Sequence, residues 1–179
     1  MSNETPRSFV SSEVETRRKQ AFAPVVAPNT RVLILGSLPG EASLAAGRYY
    51  AHPRNRFWHL AGAVIGRADL PDLAYEARLA ALLAAGLGLW DAIASARRTG
   101  SLDAAIREAE AAPLRQLAQT LPALRAVGFN GARAAAIGRR ALAGSSLALI
   151  DLPSSSPAHA AMPLAAKQAR WLELAAHLG

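Results

Sequence analysis

Cysteine is absent from this 179-residue chain, which excludes disulfides, thiolate nucleophiles and Cys-ligated zinc or iron–sulfur centres. Lysine is nearly absent: of 20 basic residues only Lys19 and Lys167 are lysines, and the rest are arginines. Acids are scarce as well, 13 in all, leaving a net charge of +7 and an isoelectric point near 11.0. No apolar run is long enough to span a bilayer, and the polar start Met1-Ser2-Asn3-Glu4-Thr5-Pro6-Arg7 lacks a signal-peptide core. The expectation is a soluble, cytoplasmic monomer with no membrane partner. No cluster of side chains has metal-ligand spacing, so neither a metal nor another cofactor is expected. Neither Gly-x-Gly-x-x-Gly nor Gly-x-x-x-x-Gly-Lys stands at the end of a strand-like run, which argues against a non-catalytic nucleotide-binding module. A basic domain poor in acids suits an anionic partner such as nucleic acid. Genome base composition also produces Arg- and Ala-rich chains, and charge alone does not separate the two.

What is present has a clear order. Residues 1–20 are polar, carry Arg17-Arg18-Lys19 and read as a flexible or loosely docked segment before a single domain, 21–179. Strand-like runs follow at 31–37, 86–93, 124–130 and 147–152. Helical patterns lie at 55–65, 72–85, 102–121 (interrupted at Pro113), 132–142 and 162–178. Strands separated by helices predict βαβ units, and hence an α/β protein: a three-layer α/β/α sandwich with a central four-stranded parallel sheet.

In such a sheet the carboxyl ends of the strands share one edge, where open α/β folds bind ligands. The first run ends in Gly36-Ser37-Leu38-Pro39-Gly40 and leads to Tyr49-Tyr50-Ala51-His52-Pro53-Arg54-Asn55-Arg56-Phe57-Trp58. The second ends in Leu89-Trp90-Asp91, before Arg97-Arg98-Thr99-Gly100-Ser101. The third ends in Phe129-Asn130-Gly131, and the fourth in Leu152-Pro153-Ser154-Ser155-Ser156-Pro157-Ala158-His159. Four polar or aromatic loops therefore converge on one crevice.

These motifs, with Ser43 and Gly100-Ser101-Leu102-Asp103, resemble the uracil-DNA glycosylase superfamily, most closely its hypoxanthine-DNA (deoxyinosine) glycosylase branch. The resemblance covers roughly residues 22–175 in the expected order. It implies an enzyme that flips a deaminated base out of DNA and hydrolyses its N-glycosidic bond with a positioned water, leaving an intact abasic site. Hypoxanthine is the first substrate; uracil or a broader range of deaminated bases is the alternative. Relatives that excise uracil or thymine carry Asn or Asp within the first motif to position the water. Here that place is Leu38, and the resemblance gives the catalytic role to Asn55. Where other members place a catalytic His at the head of the second motif, this chain has Leu152. The branch commonly has Asn where this chain has His159.

The chemistry needs a group that orients water and donors aimed at a base acquiring negative charge. Asn55 can accept a hydrogen bond from water. Asn130 matches the N–H and C=O pair on the pairing edge of hypoxanthine, which uracil shares; as the alternative, Asn130-Gly131 only makes a turn and caps the next helix. Gly36, Ser37, Tyr50, Trp90 and Asp91 complete the expected base-binding set: Tyr49 or Tyr50 stacks on the base, and Trp90 packs under the pocket floor. Asp91 orients Asn55 or a water, or else caps a helix. Pro39, Gly40, His52, Arg54, Arg56 and the loop Ser154, Ser155, Ser156, Pro157, Ala158, His159 are expected to grip DNA, Pro157-Ala158 entering the gap left by the flipped nucleotide. His52 has three readings: proton donor, phosphate contact or turn residue. Arg97 and Arg98 flank the same edge as phosphate contacts. Phe57, Trp58 and Trp171 read as core.

Overall fold

The computed structural model describes residues 17–179. Its elements in chain order are β1 (Arg18–Gln20), β2 (Val32–Gly36), α1 (Glu41–Ala46), α2 (Phe57–Val64), α3 (Tyr75–Ala84), β3 (Leu87–Asp91), β4 (Ile93–Arg97), β5 (Arg107–Ala111), α4 (Leu114–Gln119), β6 (Ala126–Asn130), α5 (Ala132–Ala141), β7 (Ala148–Leu152) and α6 (Leu164–Trp171), the last continuing as a 3₁₀ helix, Leu172–His177. Four strands form a parallel sheet in the order β3-β2-β6-β7. The expected three-layer sandwich is the observed fold.

The layers follow from strand alternation. β2 is apolar at all five positions because helices cover both faces of the sheet. Val32 and Ile34 face one side, packing with Phe57, Leu60, Leu82 and Trp171 of α2, α3 and α6. Leu33 and Leu35 face the other, against Leu114 of α4 and Ala134 and Ala135 of α5. Each large apolar side chain fully buried this way contributes about 1.5–3 kcal/mol. Phe57, Trp58 and Trp171 are buried as expected.

Several stretches differ from the sequence pattern, and α1 and β4 were not anticipated as a helix and a strand. Residues 102–121 were expected as one helix broken at Pro113. Instead Asp103–Ala105 is a 3₁₀ turn, Arg107–Ala111 is β5, and only Leu114–Gln119 is helical. β5 pairs antiparallel with β4, and β4 with β1, giving a second sheet of order β1-β4-β5. The Ala, Arg and Glu of this stretch favour helix locally, but their charges are matched across strands: Arg18 to Glu110 at 2.6 Å and Arg97 to Glu108 at 3.0 Å. Of the segment expected to be loose, 1–20, most lies outside the described residues, while Arg18–Gln20 is the edge strand of this sheet.

Candidate active site

Strand register sets the site. Gly36 lies beside Asp91 across β2 and β3, and Asn130 beside Leu152 across β6 and β7. The four strand ends open into a cavity of about 400 Å³, a size that suits a small planar ligand. Gly36, Ser37, Pro39, Gly40, Tyr50, His52, Asn55, Asp91, Asn130 and the whole run Ser154–His159 line it. Three expected residues do not. Trp90 is half-buried with its indole N–H donating to the Phe22 carbonyl at 3.0 Å, so it packs on the α4/α5 side of the sheet and not under the cavity. Arg54 and Arg56 lie outside the lining, exposed at its edge.

Gly36 is glycine for want of space. A Cβ there would meet Asp91 Oδ1 at 2.7 Å and the Tyr50 hydroxyl at 3.0 Å. Its absence brings a carboxyl and a phenol to the same point of the cavity wall. Tyr50 holds φ 50°, a left-handed conformation that costs a non-glycine residue about 1–3 kcal/mol. The ring stacks on Phe57 with centroids 3.8 Å apart. Tyr49, in contrast, turns into the core and donates its hydroxyl to the Ala23 carbonyl.

Asn130 is buried and held in one orientation. Its Oδ1 accepts from the Ser155 backbone N–H at 2.9 Å, and its Nδ2 donates to Ser155 Oγ at 2.9 Å and to the Tyr50 hydroxyl at 3.2 Å. The backbone N–H can only donate, so it fixes which end of the amide is the oxygen. α5 has no side-chain cap, which removes the reading of Asn130 as a helix-capping residue. To read a base with both ends, its amide must exchange one of the two hydroxyls for the base carbonyl. Ser155, 1% exposed, is consumed by Asn130 and is therefore a positioning group in place of the phosphate contact expected of it. Ser154 Oγ and Ser156 Oγ accept from the Ser156 and Ala158 backbone N–H groups, shaping the loop.

Asn55 is half-buried at the entrance of α2, where its Oδ1 accepts from the Phe57 N–H at 2.9 Å. One lone pair of that oxygen and the Nδ2 hydrogens remain. His52 accepts at Nδ1 from the Arg54 N–H at 3.1 Å, and its carbonyl accepts from the Asn55 N–H at 2.9 Å, so it builds the turn while lining the cavity. The Arg56 N–H donates to the Ser155 carbonyl at 3.0 Å, joining this turn to the last loop.

Asp91 is 4% exposed, and its Oδ2 has no hydrogen-bond partner among the described residues. It neither caps a helix nor bonds Asn55. Burial pushes its carboxyl up, the Arg98 guanidinium pulls it back and Asp103 raises it further, to about 7. It therefore exchanges its proton close to neutrality.

Sequence reasoning gave Asp103 and Lys167 no role in the site and misplaced Arg98. Asp103 lines the cavity and accepts from Ser37 Oγ at 2.6 Å; its position within the matched Gly100–Asp103 stretch was the available signal. Arg98, expected on phosphate, is 1% exposed and donates to the Leu38, Pro39 and Gly100 carbonyls, pinning the first loop from beneath. Arg97 is engaged with Glu108. Lys167 is buried and donates to the Ser154 carbonyl at 2.8 Å and the His159 carbonyl at 2.7 Å, clasping the last loop; burial lowers its pKa. Lys19 donates to the Gly100 carbonyl and pairs with Glu41. Neither lysine lines the cavity. Among the described residues no His, Asp and Glu group is placed to hold a metal, and no helix is long and apolar enough to cross a membrane.

A crevice of this kind, with a carboxamide fixed at one strand end and a buried carboxyl at another, lies where open α/β folds bind their ligands. A family model described as the uracil DNA glycosylase superfamily matches residues 23–176. The chain belongs to that superfamily, whose members hydrolyse the N-glycosidic bond of a damaged base in DNA. It is 44% identical over 114 residues to a hypoxanthine DNA glycosylase of Methanosarcina barkeri, covering 64% of this chain and 72% of that one. It is 40% identical over 141 residues to a hypoxanthine DNA glycosylase of Methanosarcina acetivorans, covering 79% and 88%. A solution NMR structure of a protein described as a candidate uracil DNA glycosylase from Methanosarcina acetivorans superposes with a TM-score of 0.81 at 36% identity, covering 90% of this chain and 99% of that one.

Proposed function

We propose that this protein is a monofunctional, metal-independent glycosylase that removes hypoxanthine from DNA, working as a cytoplasmic monomer. The fixed amide of Asn130 supports a base with an N–H beside a C=O, and the likeness to two hypoxanthine DNA glycosylases favours hypoxanthine over uracil, which shares that pair. The amide oxygen has a lone pair free to accept N1–H of hypoxanthine, and the amide Nδ2 can turn from a hydroxyl to O6. The base is extracted from the duplex into the cavity. There Asn55 orients the attacking water, the bond from C1′ to N9 breaks as the bond from C1′ to the water oxygen forms, and the proton given up by water ends on the departing base. The Asp91 carboxyl, divided between acid and carboxylate near neutral pH, lies beside the base to donate a hydrogen bond as negative charge develops on it. Both lysine amines are engaged by carbonyl groups and neither lysine lines the cavity, which leaves neither placed to form a Schiff base.

Duplexes carrying hypoxanthine, uracil or xanthine test this reading. Hypoxanthine should be released fastest, in chelator as well as without it, and borohydride should trap no covalent adduct. Uracil presents the same N–H and C=O pair to Asn130, so excision of uracil as fast as hypoxanthine would instead favour a broad deaminated-base glycosylase. Binding of free nucleotides without base release would overturn the enzymatic reading.

A further inference from the structure

The Asn130 amide matches an N–H beside a C=O, a pair that hypoxanthine and uracil share, so it cannot separate them. The two bases differ at the next position round the ring. Beyond C6=O hypoxanthine carries N7, a hydrogen-bond acceptor. Beyond C4=O uracil carries only a C5–H. A donor on the cavity wall just past Asn130 Nδ2 therefore separates a purine from a pyrimidine.

The wall is built in that order. The Ser155 backbone N–H holds Asn130 Oδ1 at 2.9 Å, and Asn130 Nδ2 donates onward to the Tyr50 hydroxyl at 3.2 Å. The Tyr50 hydroxyl and Asp91 Oδ1 then converge on Gly36, where a Cβ would lie 3.0 Å from the first and 2.7 Å from the second. From Ser155 the groups run amide oxygen, amide nitrogen, phenol, carboxyl, and the purine edge runs N1–H, O6, N7. Asp91 is buried, with Oδ2 unpartnered among the described residues. The ionisable groups around it are Arg98, Asp103 and the hydroxyls of Tyr49 and Tyr50. Each is engaged elsewhere: Arg98 with the Leu38, Pro39 and Gly100 carbonyls, Asp103 with Ser37, Tyr49 with the Ala23 carbonyl and Tyr50 with Asn130. Burial keeps the Asp91 carboxyl protonated up to about pH 7, and a protonated carboxyl is a donor.

We propose that Asp91 is the group that selects a purine, its acid form donating a hydrogen bond to N7 of the base that Asn130 holds by N1–H and O6. The inference rests on the glycosylase reading and gives it a physical basis for preferring hypoxanthine to uracil. As the bond from C1′ to N9 breaks, the electron pair left on the base spreads into its five-membered ring, where a donor at N7 stabilises it. Asp91 keeps its proton throughout, and the proton given up by water neutralises the departing base.

The test measures single-turnover release from duplexes that differ only in carrying hypoxanthine, 7-deazahypoxanthine (N7 replaced by C–H) or uracil. Asp91→Ala should lower hypoxanthine release at least about tenfold, the loss of one hydrogen bond in the transition state. Release of the two bases without N7 should stay within about twofold of wild type. Asp91→Asn supplies an amide N–H at every pH, so it should restore hypoxanthine release and remove the decline expected of wild type above about pH 7. His52 and His159 line the cavity in both enzymes, so a decline that persists in Asp91→Asn overturns the assignment. Where the 7-deaza base leaves too slowly to time, the affinity of Asn55→Ala for the two purine duplexes, with and without Asp91→Ala, makes the same comparison. Equal losses on bases with and without N7 overturn the proposal and leave Asp91 a structural role. A penalty for 7-deazahypoxanthine that Tyr50→Phe abolishes and Asp91→Ala does not overturns it too, and makes the phenol the donor. Thermal unfolding of each variant accompanies the rates, and the isosteric Asp91→Asn keeps the test decisive if Asp91→Ala fails to fold. A wild type that releases no base from any duplex refutes the glycosylase reading itself, a result distinct from all of these.

Discussion

Asn55 is given two tasks by its geometry. The same Oδ1 that accepts from the Phe57 N–H is the atom assigned to the attacking water, and Asn55→Ala removes both contacts. Losing the hydrogen bond to the Phe57 N–H should cost about 1 kcal/mol of stability, while losing the positioned water should lower single-turnover excision about 10²-fold or more with little change in DNA affinity. Asn55→Asp separates the two. It keeps the acceptor and adds negative charge at a helix start, so thermal unfolding should match wild type while base release recovers at least in part. Near-normal excision by Asn55→Ala would overturn the water assignment. Asp91 makes a prediction about pH. Its carboxyl rises from an ordinary 3.8 to about 7 on folding, chiefly through burial. A raised carboxyl stabilises the folded state relative to neutral pH only while it is protonated: below about 4 both states hold the proton, and from there to 7 each unit of pH withdraws up to about 1.4 kcal/mol. Asp91→Asn should therefore raise the melting temperature at pH 8, with the gain shrinking toward pH 4. A gain that is constant with pH would show that the carboxylate is compensated.

At the scale of elements, the last loop depends on α6. Lys167 of that helix donates to the carbonyls of Ser154 and His159 across the loop, and Lys167→Met keeps the alkyl packing while removing both donors. DNA affinity should weaken about tenfold, some 1.4 kcal/mol, while the rate at saturating enzyme changes less. A collapse of the rate with affinity preserved would instead mean that the amine takes part in the chemistry. Nothing in the sequence announced this clasp. The strands of the central sheet were legible because Val32-Leu33-Ile34-Leu35 and its counterparts must be buried on both faces, and parallel order then places Gly36, Asp91, Asn130 and Leu152 along one edge. That reasoning gathers most of the cavity wall. It fails where a side chain is defined by a distant partner. Arg98 looks like a surface cation until Leu38 and Pro39 are folded over it. Trp90 ends a strand that lines the site, yet alternation sends its ring to the other face. β5 is all exposed and helix-prone, and becomes a strand only because Arg18 and Arg97 lie across from its glutamates.

Over the whole molecule the excess of positive charge acts as a field that draws in DNA. Not all of the +7 is equally available. Arg18, Arg67, Arg97, Arg139 and Arg170 are each opposite a carboxylate, and Arg98 is buried under the first loop. Arg54 and Arg56 are exposed beside the cavity and join no ion pair among the described residues. Each is proposed to neutralise a phosphate, and each duplex phosphate neutralised contributes about −0.9 to the slope of log K against log salt concentration. Arg54→Ala should thus weaken binding evenly across DNA sequences and flatten that slope by about one. The single-turnover rate at saturating enzyme should stay near wild type, because the phosphate contact is made in the ground state and the transition state alike. Titrations at four or more salt concentrations, with thermal unfolding measured alongside, decide the matter. An unchanged slope would mean that Arg54 lies off the DNA path, and the weight of the electrostatic contact would pass to Arg56 and the far rim. A changed rate with an unchanged slope would mean that Arg54 acts through the turn that carries Asn55, whose position it shares.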